Sequence, residues 1–178
     1  KRSQAIYESE KYILKNTTNS YIIRPGIIIG GEDKFLNNLL PIFKFSPIIP
    51  LFGKGEYKFQ PVYVDDISIA INKIIINSER GNHIFEFVGN KTFTYRNFYE
   101  LILSFLPYKR VIFPVPFFLI SILVALLEKT SFSPINKEQL RLFKSNNTSL
   151  NLYNKLEDLD INVQDIAEIV KKFVVKNI

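Results

Sequence analysis

Apolar residues recur along this chain in two rhythms. Short β-branched runs alternate with stretches whose apolar positions return every three or four residues, so strands and helices are predicted in alternation. Residues 5–15 (AIYESEKYILK) predict a charged helix that ends at the polar break Asn16-Thr17-Thr18-Asn19. Tyr21-Ile22-Ile23 predicts a strand, closed by Arg24-Pro25-Gly26, because proline donates nothing to a ladder and glycine permits a sharp bend. Ile27-Ile28-Ile29 runs into Gly30-Gly31, after which Asp33 is placed to cap a helix carrying Phe35, Leu36, Leu39 and Leu40, with Pro41 near its end. Ile48–Leu51 is apolar, Gly53-Lys54-Gly55 predicts a turn, and Tyr57–Val64 alternates as a strand bent or edged at Pro61.

The second half is richer in helix. Ile67, Ala70, Ile71, Ile74 and Ile75 fall on one helical face that ends before Gly81. Residues 83–88 (HIFEFV) predict a strand, and Thr94 caps a helix with Phe98, Leu101, Ile102 and Phe105 on one side. Arg110–Phe113 is brief and extended, and Pro114-Val115-Pro116 leads into a very apolar helix ending near Lys129. Ser133-Pro134 opens a short helix with Leu140 and Phe143, broken at Asn146-Asn147, and a last helix spans about 163–175. This order predicts the α/β class with a helical end.

Asp65 and Asp66 stand where the strand pattern gives way to the helical one. Paired carboxylates serve acid–base chemistry when they converge. Neighbours on an extended chain point to opposite faces, so these two are read as a helix cap facing the positive end of the dipole, and no catalytic residue is assigned.

Composition narrows the function classes. The chain of 178 residues has no cysteine and one histidine, His83, which excludes disulfides, a thiol nucleophile and histidine-rich metal clusters, so no metal site is assigned. Its net charge of +6 is spread along the sequence together with abundant Ile, Asn and Phe, the mixture an AT-rich coding sequence produces. Lysine and arginine form no stripe interleaved with aromatics, which argues against a nucleic-acid partner. The chain starts at Lys1 and contains no methionine, so residue 1 is expected to lie inside a longer or processed polypeptide, and no apolar run follows the basic start as a signal peptide requires.

Several segments, in order, resemble one family. Phe59–Ile71 (FQPVYVDDISIAI) is similar to the aromatic-x-x-V-x-V-x-D-[VI]-[AS]-x-A-I segment of extended and atypical short-chain dehydrogenase/reductase proteins, and Ile22–Gly30 (IIRPGIIIG) to their I-[IL]-R-P-x-x-[IV]-[FY]-G stretch. Gly31–Asn37 (GEDKFLN) resembles a narrower group, the dehydrogenase-like accessory subunit of respiratory complex I and its bacterial relatives. Phe85–Gly89, Phe113–Pro116, Ser133–Gln139 and Leu156–Ile161 match further family segments, the last with Asp160 where the family has glycine.

The resemblance implies the C-terminal part of a Rossmann-like NAD(P)-binding fold, its N-terminal glycine-rich half missing. Residues 1–90 would form the last strands and helices of the sheet and 91–178 a mostly helical substrate-side lobe of the same partial domain. It places Pro25, Gly26 and Ile27 beside a nicotinamide, only once the missing half completes the pocket, and Gln60 on the substrate side. No glycine-rich turn with dinucleotide spacing occurs, and Gln4 stands where the family's catalytic Tyr-x-x-x-Lys has its lysine. NAD(P) is therefore expected not to bind this chain alone. The first functional expectation is a non-catalytic accessory module of a membrane-associated NADH:ubiquinone oxidoreductase, partnered by other respiratory-complex subunits or a separate N-terminal half. It would sit on the matrix side of the mitochondrial inner membrane or the cytoplasmic face of a bacterial one. The second is the C-terminal half of a nicotinamide-dependent epimerase, dehydratase or reductase.

Residues 111–127 (VIFPVPFFLISILVALL) carry no charge, yet fall short of the roughly 20 residues a membrane span needs. They are read as a helix that is buried or docked on a membrane surface or a partner. The sheet is expected to begin with an open edge at Tyr21–Ile23, a template for association.

Overall fold

The computed structural model describes residues 2–127 and 143–177. The expected helix at Ser133–Phe143 and the family segment Ser133–Gln139 therefore lie almost wholly outside the described residues, as does the end of the apolar helix.

Helix α1 (Arg2–Asn16) leads into strands β1 (Ser20–Pro25) and β2 (Ile27–Ile29), then α2 (Lys34–Phe45) and β3 (Ile48–Phe52). The short strands β4 (Lys58–Phe59) and β5 (Pro61–Tyr63) precede α3 (Val64–Ile76), β6 (Asn82–Phe87) and β7 (Phe93–Thr94). Helix α4 (Tyr95–Ser104), strand β8 (Val111–Val115), helix α5 (Phe117–Leu127) and helix α6 (Ile166–Asn177) complete the order.

Three strand pairs are parallel: β1 with β6, β2 with β5 and β3 with β8. The fourth, β4 with β7, is antiparallel. Parallel pairs joined through helices are the α/β arrangement that the alternation predicted. Among the described residues β1 pairs with β6 alone, so its other edge is open.

Two apolar clusters hold these pairs. The larger joins Ile29, Ile49, Leu51 and Phe59 from strands to Leu36, Leu40 and Phe43 of α2, Phe98 and Ile102 of α4, and Ile166, Val170 and Val174 of α6. The smaller packs Ile67, Ala70 and Ile74 of α3 against Val62, Phe85, Phe87, Leu156 and Ile161. Asp33 caps α2 through Leu36 N–H at 2.7 Å, and Thr94 caps α4 through Asn97 N–H at 3.1 Å, both at the positions their residue type predicts.

Four local expectations are corrected. The segment Tyr57–Val64 is two strands, because Gln60-Pro61 breaks the ladder and sends β4 and β5 to different partners. Pro41 lies inside α2, not near its end. The buried face of α3 is narrower than its periodicity, with Ile71 and Ile75 exposed. Finally, α3 begins one residue before the aspartates: Tyr63 is its N-cap and offers no side-chain cap bond, so Asp65 and Asp66 sit within the first turn. Their charges still face the helix dipole, but neither is the cap.

Candidate functional site

The residues expected around a nicotinamide and a substrate meet where β1 ends, β2 begins and β4 gives way to β5. Gly26 continues the β1–β6 ladder by donating its N–H to Phe87 O at 2.9 Å. A Cβ on Gly26 would stand 2.4 Å from the carbonyl oxygen of Gln60 and 3.4 Å from Val88. Its missing side chain is thus required by the close passage of a neighbouring backbone. Pro25 is exposed and Ile27 half-buried.

Gln60 has both ends of its amide engaged. Oε1 accepts the backbone N–H of Ser149 at 2.7 Å, and Nε2 donates to Gly89 O at 3.4 Å. The Ser149 partner belongs to a segment that crosses the strand ends as a strap. Asn147 donates its N–H to Lys58 O at 2.7 Å and accepts from Gln60 N–H at 3.0 Å, a parallel rung beside Phe59. Further on, Leu150 N–H donates to Oε2 of Glu86 at 3.1 Å, and the Ser149 hydroxyl donates to the same oxygen. Glu86 is buried within β6, and these bonds, with Glu86 N–H donating to Asn154 O at 2.8 Å, account for its burial.

The two aspartates separate in role. Asp66 is 1% exposed, and its carboxylate accepts the backbone N–H of Gln164 at 3.0 Å and, weakly, Gln164 Nε2 at 3.5 Å. It ties α3 to the segment just before α6. Burial pushes its carboxyl above the ordinary value, the bonds from Gln164 pull it back in part, and the neighbouring Asp65 charge adds to the rise. Asp65 is exposed and hydrogen-bonded to the Tyr63 hydroxyl, which raises that phenol's pKa. The carboxylates do not converge, so the geometry offers no acid–base pair.

None of the described glycine turns cradles a diphosphate. At Gly30-Gly31 the natural anion position, the start of α2, is filled by Asp33, whose carboxylate takes Leu36 N–H and, at 3.1 Å, Gly30 N–H. A phosphate there would meet a fixed negative charge. Gly53, at φ 61°, faces the Phe117 ring, and Gly55, at φ 69°, faces Leu51. These residues do not fit a dinucleotide's pyrophosphate.

Sequence reasoning missed the Asp66–Gln164 tie and the strap. The signal for the strap was available: Glu86 is the one charge within the apolar run Ile84–Val88. Asp160 also gains a reason. It adopts φ 51° and ψ 43°, the left-handed conformation that glycine tolerates best, while Lys73 Nζ donates to its carbonyl and to that of Leu159, both at 2.9 Å.

No family model matches the chain. Among proteins of known role it is similar to the mitochondrial NADH dehydrogenase [ubiquinone] 1 alpha subcomplex subunit 9 of Dictyostelium discoideum, 29% identical over 170 residues, covering 94% of this chain and 47% of that protein. The Mus musculus protein of the same name is 28% identical over 134 residues, 75% of this chain and 35% of that one. The chain thus spans about half, or less, of the relatives it matches. Among solved structures it superposes on UDP-glucuronic acid 4-epimerase from Bacillus cereus, in complex with UDP-glucuronic acid and NAD, with a TM-score of 0.64 at 9% identity, covering 97% of this chain and 50% of that one. ADP-L-glycero-D-manno-heptose-6-epimerase from Helicobacter pylori gives a TM-score of 0.62 at 13% identity, with 96% and 48% covered. The chain therefore resembles the complex I accessory subunit in sequence, and its fold is the Rossmann-like α/β fold of these epimerases.

Proposed function

We propose that this chain is a non-catalytic accessory module that stabilises a membrane-associated NADH:ubiquinone oxidoreductase, similar to that complex's NAD(P)-binding-fold subunit. The observation that carries this reading is the sequence likeness to the alpha subcomplex subunit, which extends over 94% of the chain. Two features support it: the carboxylates at the strand–helix corner are engaged in structural bonds, and the candidate turns present no anion cradle.

In this reading the module sits on the matrix side of the inner membrane or, in a bacterium, on its cytoplasmic face. Its partners are other subunits of the complex or a segment that completes the sheet at the open edge of β1. Pro25, Gly26 and Ile27 flank a nicotinamide only when that segment supplies the pyrophosphate site, and Gln60 reaches a substrate only if Ser149 releases it.

Native electrophoresis of membranes from the organism that encodes the chain tests the proposal. The chain is expected to migrate with the NADH dehydrogenase activity band. Its deletion is expected to reduce the amount of assembled complex while activity per complex is kept. Migration apart from that band overturns the reading. Titration of this chain with NADH, followed by cofactor fluorescence, is expected to give no binding; micromolar affinity refutes the claim that it cannot hold the dinucleotide by itself.

A further inference from the structure

The strap is fastened differently along its length. At its ends it is held by backbone rungs, Asn147 beside Phe59 and Asn154 beside Phe85. Between them, residues 148–153 join no ladder and enter neither apolar cluster. Leu150 and Leu152 leave 69% and 70% of their surface in solvent. Polar side chains from the sheet beneath hold this stretch down. Gln60 accepts Ser149 N–H, and Glu86 accepts Leu150 N–H and the Ser149 hydroxyl. The Arg24 guanidinium lies 4.7 Å from the ring centre of Tyr153. Asn151, at φ 56°, turns the stretch through the left-handed region, and its N–H donates to Ser149 Oγ at 2.9 Å. Firm ends, exposed leucines and a middle held by polar bonds are the profile of a part that opens locally.

Arg24 ties that stretch to α1. The β1–β6 register sets Arg24 beside Glu86, so the two side chains share the face that the strap crosses. The same guanidinium donates to both carboxylate oxygens of Glu10, at 2.6 and 3.1 Å. Helix α1 depends on such contacts. None of residues 4–16 is buried, and a helix of 15 residues is marginal in water without tertiary support. Asn82 Nδ2 holds the carboxyl end of the helix, donating to Leu14 O at 3.1 Å, while Glu10 secures its middle. One planar group therefore meets α1 and the strap together. Its plane is fixed by the Glu10 fork, and that orientation is what presents it to the Tyr153 ring.

We propose that residues 148–153 form a lid over the carboxyl ends of β1 and β6, and that α1 controls it through Arg24. With α1 seated, Glu10 orients Arg24 on Tyr153, and the lid stays closed over Gln60 and Glu86. With α1 displaced, Arg24 loses that orientation, Tyr153 is released, and the lid opens on its Asn147 and Asn154 rungs. Opening frees an amide and a carboxylate at the strand ends, the side on which open α/β sheets bind ligands. A partner that moves α1 thereby uncovers them, and by reciprocity whatever opens the lid loosens α1. This coupling does not depend on the respiratory-complex reading.

Amide hydrogen exchange of the purified protein, read residue by residue, tests it. Glu86→Ala removes the charged latch and is expected to speed exchange at Ser149 and Leu150 about tenfold. Glu10→Gln is expected to speed exchange in α1 and, about two- to fivefold, at Ser149 and Leu150, the share one cation–ring contact carries. Glu8→Gln, an exposed carboxylate of the same helix, is expected to leave Ser149 and Leu150 at parental rates. Tyr153→Leu is expected to speed Ser149 and Leu150 and to loosen α1 by the same factor. Exchange in β6 is expected to hold at the parental rate throughout, which reports that the fold is kept. Faster exchange in α1 alone on Glu10→Gln overturns the proposal, and so does equal acceleration of the lid by Glu8→Gln. Tyr153→Leu with α1 unchanged overturns it too, and decides the matter even where Glu10→Gln unfolds. None of these readouts involves a respiratory complex, so their failure is distinct from failure of the accessory-subunit reading.

Discussion

Replacing Asp66 by alanine separates a helix cap from a tertiary tie. The carboxylate lies in the first turn of α3 and accepts Gln164 N–H at 3.0 Å across 98 residues of chain. Removing a charged acceptor costs about 1.5–3 kcal/mol. Part of this is returned, because burial already strains the carboxylate and raises its pKa. A net loss of about 1–2 kcal/mol is expected at neutral pH, near a tenfold fall in the folding constant. Asp65→Ala removes an exposed charge near the dipole and its solvent-side bond with the Tyr63 hydroxyl, and is expected to cost less than about 1 kcal/mol. Gln164→Ala keeps the backbone donor and is expected to be nearly neutral. The pH dependence has a definite sign. A carboxyl raised in the folded state binds its proton more tightly there than in the unfolded chain, so its stabilisation is full below the unfolded value, near 3.8, and is lost as pH rises through the folded one. Asp66→Asn removes that slope. Urea unfolding of the full-length protein, followed by far-ultraviolet circular dichroism across this range, reads every term. If Asp66→Ala is as stable as the parent at neutral pH, or Asp65→Ala costs more, the tie is refuted.

Three further outcomes follow from the same geometry. Arg24 holds Glu10 of α1 through Nη2–Oε2 at 2.6 Å and Nε–Oε1 at 3.1 Å, with its guanidinium 4.7 Å from the Tyr153 ring centre. Arg24→Ala is expected to speed amide exchange throughout α1 at least tenfold while β6 is unaffected; unchanged α1 exchange would count against this anchor. Gly26→Ala places a methyl 2.4 Å from the Gln60 carbonyl, and a loss of about 1–3 kcal/mol is expected in urea unfolding; a neutral result would mean the strands part freely. Asp160→Val, a β-branched residue at φ 51°, is expected to lose about 1–2 kcal/mol, whereas Asp160→Gly is expected to match or exceed the parent in thermal unfolding; equal stability of the two variants would refute the left-handed requirement.

The strand–helix order, the caps at Asp33 and Thr94 and the core positions of α2 and α4 follow from local rules. Period, cap chemistry and glycine–proline punctuation act within a few residues, so they are readable without a partner. The β-strand periodicity of Tyr57–Val64 was legible too, but its division was not, because which ladder a strand joins depends on residues far along the chain. The candidate site divides in the same way. Pro25, Gly26, Ile27 and Gln60 were proposed from their place in ordered family segments. That Gly26 answers to the Gln60 carbonyl, and Gln60 to Ser149 N–H, required the strap to be folded across them. The doubled aspartates show the limit most plainly. Two carboxylates at a strand–helix corner are visible in the sequence, and their favourable setting beside the dipole is local. Which one is buried, and what it holds, was decided only when α3 packed against the segment ahead of α6, because burial and long-range hydrogen bonds are properties of the assembled interior.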